Sequence, residues 1–461
     1  MLDHRVRGKL REIVGEAGLK EGGEIKHYSI DGLVPAAVLF PGTPEEVGRI
    51  VILALEERLN ILPWGGGTQM GLGAPPRHVD LVACLSRLNR IMDQDHENMS
   101  FTAEAGIPLG AIQERLRHLG PGFFLPLDPP CAEEVTLGGA VAANASGPSR
   151  LRYGTPRDLV LGVEVIIPEQ AAHGLKTIAG GKTVKNVSGY DMSKLYIGSL
   201  GTLAIVVEVT CRILPLPEDQ ATVVMGFPHP DQPWALVRSL LESQLLPACI
   251  EVYNPLTGSL LHAKGIASAE TAVEAWAAVG LEGIKEVVER QIVDVENLAR
   301  LQGAKQIMAL RGSEEGEFWR QLGRLALGVC AKSNRSIGLK ASVPLSLAHE
   351  ISTAIDENMA NENIPRYLLA HAGSGIVYAH LALDEDLHTV KEEALSHMVK
   401  ALREQVEEMG GSLVVEYAPP VFKERVDVWG NVGGVFPIME RLKGEFDPKG
   451  ILNPGRYVGG I

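Results

Sequence analysis

Glycine constrains this sequence more than any other residue. There are 51 glycines in 461 residues, and many of them cluster between Gly65 and Gly201; glycine makes up only about 7% of an average chain. A residue without a Cβ lets backbone come close to a ligand or to other backbone, so the cluster marks that stretch as a binding region. At roughly 100–200 residues per domain the chain has room for two or three units. With 45% apolar residues it can fill their cores.

From Val34 the pattern is α/β. Pro35 to Phe40 reads as a short strand. Thr43-Pro44-Glu45-Glu46 then opens a helix with a cap, a proline at its first position and a capping-box glutamate, and Val47, Ile50, Val51, Ala54 and Leu55 follow at helical spacing. Asn60 to Trp64 reads as a strand running straight into Gly65-Gly66-Gly67-Thr68-Gln69. Val79 to Leu85 and Met99 to Ala105 are further strands, and a helix from Pro108 stops at Gly120. Strand-like runs span Leu159 to Pro168 and Leu200 to Leu214, and the prolines of Leu214-Pro215-Leu216-Pro217 suit a domain boundary. Beyond it, amphipathic helices are expected at Thr271 to Ala278, Glu286 to Gln302, Ala348 to Asn361 and Leu387 to Met409, alternating with short strands.

Charge and cysteine usage exclude several classes. With 57 acidic against 43 basic residues and no basic run, no nucleic-acid partner is expected. No apolar stretch reaches the roughly 18 residues of a membrane span, and Met1 to Lys20 reads as a charged helix rather than a signal sequence. A soluble, cytoplasmic protein is the expectation. Cys84, Cys131, Cys211, Cys249 and Cys330 are scattered without a CxxC pair, which supports neither a disulfide framework nor a zinc or iron–sulfur site.

Three stretches carry possible chemistry. Gly65 to Gln69 can aim successive backbone N–H groups at one anion, with Thr68 and Gln69 adding side-chain donors; a tight turn without a ligand is the alternative. It is no Rossmann fingerprint, lacking the G-x-G-x-x-G register. Gly180-Gly181-Lys182-Thr183 imitates a P-loop, but Lys176 stands where its first glycine belongs. His349-Glu350 begins a metalloprotease-like motif that fails at Thr353. Thr136-Leu137-Gly138-Gly139-Ala140-Val141-Ala142-Ala143-Asn144-Ala145-Ser146-Gly147, followed by Tyr153-Gly154, has so little side-chain bulk that either a flat ligand or a close-packed helix could lie against it.

In order, Pro63-Trp64-Gly65-Gly66-Gly67-Thr68, the Thr136–Gly147 run, Tyr153-Gly154 and Gly162-Val163-Glu164-Val165-Ile166-Ile167-Pro168 resemble the PCMH-type, vanillyl-alcohol-oxidase-like FAD domain. Lys185-Asn186-Val187-Ser188-Gly189-Tyr190-Asp191, Gly198 to Leu203 and Leu452-Asn453-Pro454-Gly455-Arg456 continue the likeness, which covers roughly Val34 to Pro217 and the tail. The second half looks most like the FAD subunits of glycolate and D-lactate dehydrogenases.

The resemblance implies an α+β chain in four parts: an N-terminal helical segment (1–33), a two-subdomain FAD-binding domain (34–217), an α+β cap with an antiparallel sheet (218–424) and a C-terminal segment returning to the FAD domain (425–461). It further implies that Gly65, Gly66, Gly67, Thr68 and Gln69 hold the FAD pyrophosphate. Thr136, Gly138, Gly139, Ala142, Asn144, Gly147, Gly201 and Thr202 would line the rest, and Asn453 would return to the flavin. Relatives with covalent FAD carry a His in the first loop; Thr68 in its place implies a non-covalent cofactor.

The implied activity is oxidation of a small 2-hydroxy acid, in a complex with a paralogous FAD subunit and an iron–sulfur subunit. The alternative is an FAD-carrying partner or assembly subunit without its own turnover. The 2-hydroxy-acid relatives carry His-x-Gly-x-Gly-Asn-x-His and, later, Glu-His-Gly, a set for a divalent metal and a catalytic base. Here His371-Ala372-Gly373-Ser374-Gly375-Ile376-Val377-Tyr378 keeps His371 but has Tyr378 at the second imidazole, and Tyr417 follows Glu416. His371 and Glu416 are thus the catalytic candidates and no metal is expected, because a phenol with a pKa near 10 is a poor ligand at neutral pH. His380, two residues beyond Tyr378, should share its face of a strand about 7 Å further on.

Overall fold

The computed structural model describes residues 2–168, 176–182, 190–262, 273–328, 336–361, 364–382 and 389–461. Cys330, Thr183 and the 185–189 part of the Lys185–Asp191 motif lie outside the described residues. The chain forms two compact units, the first from residues 1–145, 155–216 and 431–461, the second from 146–154 and 217–430.

The first unit begins with helix α1 (His4–Val14), capped by the Asp3 side chain and ended at Gly15, whose φ is 75°. This is shorter than the charged helix expected through Lys20, since Leu19 and Lys20 form β1 and pair with Leu39 and Val38 of β2 (Ala37–Leu39). Helix α2 (Pro44–Glu57) follows. Its start is set by Thr43, whose hydroxyl accepts from the Glu46 N–H at 3.2 Å, while the Glu46 carboxylate accepts from Gly42 N at 2.7 Å. Val47, Ile50, Val51 and Ala54 form its buried face. The helix is the crossover that parallel pairing needs: β3 (Ile61–Trp64) and β2 both run parallel to β4 (Leu81–Cys84), giving the sheet order β1-β2-β4-β3.

The same unit continues with β5 (Ile91–Asp95), β6 (Ser100–Glu104), helix α3 (Leu109–Arg117), the short β7 (Phe123–Phe124), helix α4 (Leu137–Ala143), β8 (Val160–Ile166), β9 (Thr177–Gly180), β10 (Ile205–Arg212) and β11 (Leu214–Pro215). Five of these strands form an antiparallel sheet in the order β5-β6-β10-β8-β9, and β7 pairs with β11. One continuous core joins both larger sheets, from Leu10 and Ile50 through Phe101, Val141 and Val207 to Leu452. The tail enters beside β3, with Ile61 N donating to Ile451 O at 2.8 Å and Asn453 N to Ile61 O at 2.9 Å. It is pinned by Lys443, whose buried ammonium donates to Thr202 O, to Leu452 O and to the fully buried Asp447 carboxylate.

The second unit is an eight-stranded antiparallel sheet with helices. Its strands are β12 (Asp219–Phe227), β13 (Cys249–Tyr253), β14 (Ala275–Gly283), β15 (Gln306–Leu310), β16 (Ser336–Ser342), β17 (Arg366–His371), β18 (Ile376–Ala382) and β19 (Ser412–Tyr417), in the order β15-β12-β14-β13-β17-β18-β16-β19. Helices Lys285–Leu301, Ala348–Asn361 and Thr389–Glu408 fall close to where helical spacing puts them. The helix expected over Thr271 to Ala278 is a misreading. Residues 271–272 lie outside the described residues, and Ala275–Gly283 is strand β14, paired on both sides with β12 and β13. Eight of its nine positions are buried, so its apolar residues show no period of two, and neighbours on both edges override alanine's helix preference.

Candidate functional site

In the first unit, a cleft opens at the C-terminal end of β3. Gly65, Gly66, Gly67, Thr68, Gln69, Thr136, Gly138, Gly139, Ala142, Gly201 and Asn453 all line it. The glycines are needed on the side facing the protein as much as on the open side. A Cβ on Gly66 would lie 1.9 Å from Glu134 O, and one on Gly65 would lie 2.3 Å from Thr136 Oγ1; Gly67, at φ 77°, would meet the Trp64 ring at 2.8 Å. The loop therefore lies backbone-on-backbone against residues 134–136. Its outer N–H groups, from Gly66 to Gln69, donate to no backbone carbonyl among the described residues. Such a row of unused donors is what an anionic pyrophosphate requires.

Three further contacts shape the cleft. Gly138 N donates to Ala105 O at 2.7 Å, and a Cβ on Gly138 would lie 2.5 Å from Ala105 Cβ, so α4 sits directly against the end of β6. The 198–202 turn docks on the other end of α4 through Gly198 N to Val141 O (3.0 Å) and Leu200 N to Ala142 O (2.8 Å). Asn453, in the left-handed region, donates its Nδ2 to Leu200 O at 2.6 Å, while its Oδ1 is buried without a protein partner. A buried acceptor at a cleft wall awaits a donor from a ligand. The residues fit a dinucleotide with a polar ring system.

Three expected residues stand elsewhere. Asn144 is the left-handed cap of α4, with Oδ1 buried and unpartnered, and does not line the cleft. Thr202 is buried and donates to Ser199 O. Gly147 belongs with the second unit. Arg456, not picked out from the sequence, lines the cleft and donates from Nη2 to the carbonyls of Met70 and Leu72. Burial pulls its pKa down to about 10, yet it still carries its charge at neutral pH. Its place at the end of the Leu452–Arg456 motif was the signal that could have found it.

In the second unit the candidates lie along one face of the sheet. Glu251 and His371 are directly opposite on β13 and β17, and the imidazole Nδ1 lies 2.7 and 2.9 Å from the two carboxylate oxygens. The His371 ring meets Tyr378 edge-on at 5.1 Å. Tyr378 faces Lys340 of β16, whose Nζ lies over the phenol ring and 3.6 Å from the Glu416 carboxylate. Tyr378 stacks at 6.2 Å on His380, and His380 Nδ1 is 2.5 Å from the Tyr417 hydroxyl. A bulge beside Gly338 and Leu339 is what lets the consecutive residues Glu416 and Tyr417 both serve this row.

His371 and Glu416 are not brought together. β18 and β16 stand between their strands, so three strand spacings, about 14 Å, separate their backbones. Among the described residues no three His, Cys, Asp or Glu side chains group to hold a metal ion. The residues present do not fit a divalent cation; an ammonium stands beside Glu416 instead. Tyr378 and Glu416 hold the Lys340 pKa above that of an ordinary lysine against the cost of burial. Burial raises the Tyr378 phenol, with Lys340 opposing, and pushes His380 down to about 4. Glu251 and Lys340 were missed from the sequence, because neither lies in a motif and only the strand order brings them to His371 and Glu416.

The chain as a whole is similar to known proteins. Residues 35–192 match the model of an FAD binding domain, and residues 216–457 match that of the C-terminal domain of FAD linked oxidases. The glycolate oxidase subunit GlcD of Bacillus subtilis (strain 168) is 29% identical over 430 residues, 92% of this chain and 89% of its own length. A D-lactate dehydrogenase of Archaeoglobus fulgidus is 27% identical, covering 91% of each chain. A probable mitochondrial D-lactate dehydrogenase of Danio rerio is 25% identical over 98% of this chain and 92% of its own. Among solved structures, p-cresol methylhydroxylase superposes with a TM-score of 0.75 at 16% identity, over 98% of this chain and 96% of that one. Alkyldihydroxyacetonephosphate synthase gives 0.75 at 18%, over 98% and 85%. These two show a shared PCMH-type, α+β fold.

Proposed function

We propose, on the premise that this chain belongs to the FAD-linked oxidases and takes FAD as its cofactor, that it oxidises a small 2-hydroxy acid as a flavin subunit of a glycolate- or D-lactate-type dehydrogenase complex. One observation carries the reading: the polar row of the second unit combines a carboxylate-backed imidazole with a half-buried ammonium. A 2-hydroxy acid asks for a group to take its hydroxyl proton and a cation for its carboxylate, and His371 and Lys340 answer those needs. When bound, FAD supplies the two-electron acceptor for the carbinol hydride. Gly65 to Gln69 would hold its pyrophosphate through backbone donors, and Asn453 would accept from its ring system. Thr68 supports non-covalent attachment. A cytoplasmic setting and association with a paralogous flavoprotein and an iron–sulfur subunit complete the proposal; the names of the glycolate and D-lactate relatives support it.

Anaerobic titration of the purified protein with a panel of 2-hydroxy acids, read at the flavin absorbance band, tests the reading. Bleaching by one or more acids is expected. Tyr378 and Tyr417 favour a second reading, an FAD-carrying partner subunit with no turnover of its own. Flavin that no acid reduces, but that a co-expressed partner complex reduces, would select it.

A further inference from the structure

Glu251 has no role in any sequence motif, yet its carboxylate is fully buried in the middle of the sheet, directly across from His371. A buried carboxylate is costly to remove from water and is seldom more stabilising than an apolar side chain of the same volume, so stability alone is a weak account of it. Its chemistry is definite. An ionised carboxylate can only accept hydrogen bonds, and both oxygens lie within 2.9 Å of His371 Nδ1. Nδ1 therefore carries a ring hydrogen. The edge-on contact with Tyr378 restrains the ring from another side. The other imidazole of the row differs: the Nδ1 of His380 is engaged by Tyr417, and burial holds it neutral.

We propose that Glu251 is the positioning residue of this site: it locks His371 in the Nδ1–H tautomer, so that Nε2 receives the hydroxyl proton of the substrate without help from a metal. The inference rests on the 2-hydroxy-acid reading above. As the substrate O–H bond breaks, an N–H bond forms at Nε2, and the resulting imidazolium is neutralised by Glu251. The two electrons of the carbinol C–H bond leave as hydride for the flavin, and the alcohol becomes a 2-oxo acid. Arrangements of this kind lose on the order of 10²- to 10⁴-fold in rate when the orienting carboxylate is neutralised.

The experiment compares holo wild type with Glu251→Gln, Glu251→Asp and His371→Asn. Flavin content and Tm are measured first, then anaerobic flavin reduction by an acid that reduces the wild type. The nitrogen NMR spectrum of wild-type protein labelled at histidine, assigned by the signals lost in His371→Asn, reads the tautomer without any turnover. Expected are an unprotonated Nε2 in wild type, a fall of about 10²-fold or more in the reduction rate constant of Glu251→Gln with little change in half-saturation, and partial recovery in Glu251→Asp. An Nε2–H tautomer in wild type would overturn the proposal, as would an undiminished rate in Glu251→Gln or a stoichiometric metal that only the wild type retains. If no 2-hydroxy acid reduces the wild-type flavin, the substrate reading fails, and the tautomer measurement still decides the claim about Glu251. If Glu251→Gln does not fold, Glu251→Asp and the wild-type spectrum carry the test.

Discussion

Tyr417 lies across Gly338, its direct neighbour on the adjoining strand, where any Cβ would come within 2.2 Å of the phenol ring. That glycine allows the Tyr417 hydroxyl to reach His380, and the buried imidazole titrates at about 4 rather than near 6.5. The unfolded chain therefore binds a proton on His380 at a higher pH than the folded chain does. Because burial penalises the charged imidazole, this group costs the fold nothing above about pH 6.5 and lowers its stability as pH falls towards 4, by about 3 kcal/mol. Thermal unfolding of wild type and His380→Gln between pH 7.5 and 4 checks this. Wild type should lose more stability across that window, and parallel curves would contradict it.

The purified protein should be yellow and should release FAD, not FMN, on acid or heat treatment; flavin left in the precipitate would contradict the non-covalent reading of Thr68. Asn453→Leu should weaken FAD retention roughly 10- to 100-fold, since it removes a buried acceptor from the cleft wall. Equilibrium dialysis against FAD measures it. Substitutions at Gly66 are the poorer test, because the Glu134 carbonyl would block even a methyl group there.

Lys443→Met should cost about 3–5 kcal/mol, because it strands the buried Asp447 carboxylate and the carbonyls of Thr202 and Leu452. A fall in Tm with accompanying flavin loss is expected. The double variant Lys443→Met/Asp447→Leu should recover part of that loss.

Exhaustive chelation should leave both Tm and flavin reduction unchanged. Lys340, rather than a metal, stands beside Glu416, and Tyr378 remains a phenol. Elemental analysis before and after chelation, with both readouts repeated, is the measurement. Stoichiometric zinc, iron or manganese whose removal stops flavin reduction would refute it.

The first unit was largely legible because its signals are local. The Thr43 cap, the proline at the start of α2 and the glycines after β3 act within a few residues of where they stand. Asn453, by contrast, was flagged only through the family resemblance of the tail motif. The second unit was less legible because its site is assembled by strand order. Glu251 precedes His371 by 120 residues, and Lys340 precedes Glu416 by 76, so nothing short-range links them. β14 was misread because a strand buried on both faces shows no alternation. Asn144 and Thr202 were expected to line the cofactor, but Asn144 caps α4 and Thr202 braces the turn at Ser199 rather than lining the cleft.

The hydrogen bond from Arg456 to the Met70 carbonyl joins residues 386 positions apart. A ribosome making this chain at about 5–20 residues per second would have the glycine loop emerged long before its last wall exists. The whole second unit, residues 146–154 and 217–430, is translated in between. Cofactor capture should therefore wait until residues 431–461 have been made, and stalled nascent chains lacking them should stay colourless however much FAD surrounds them.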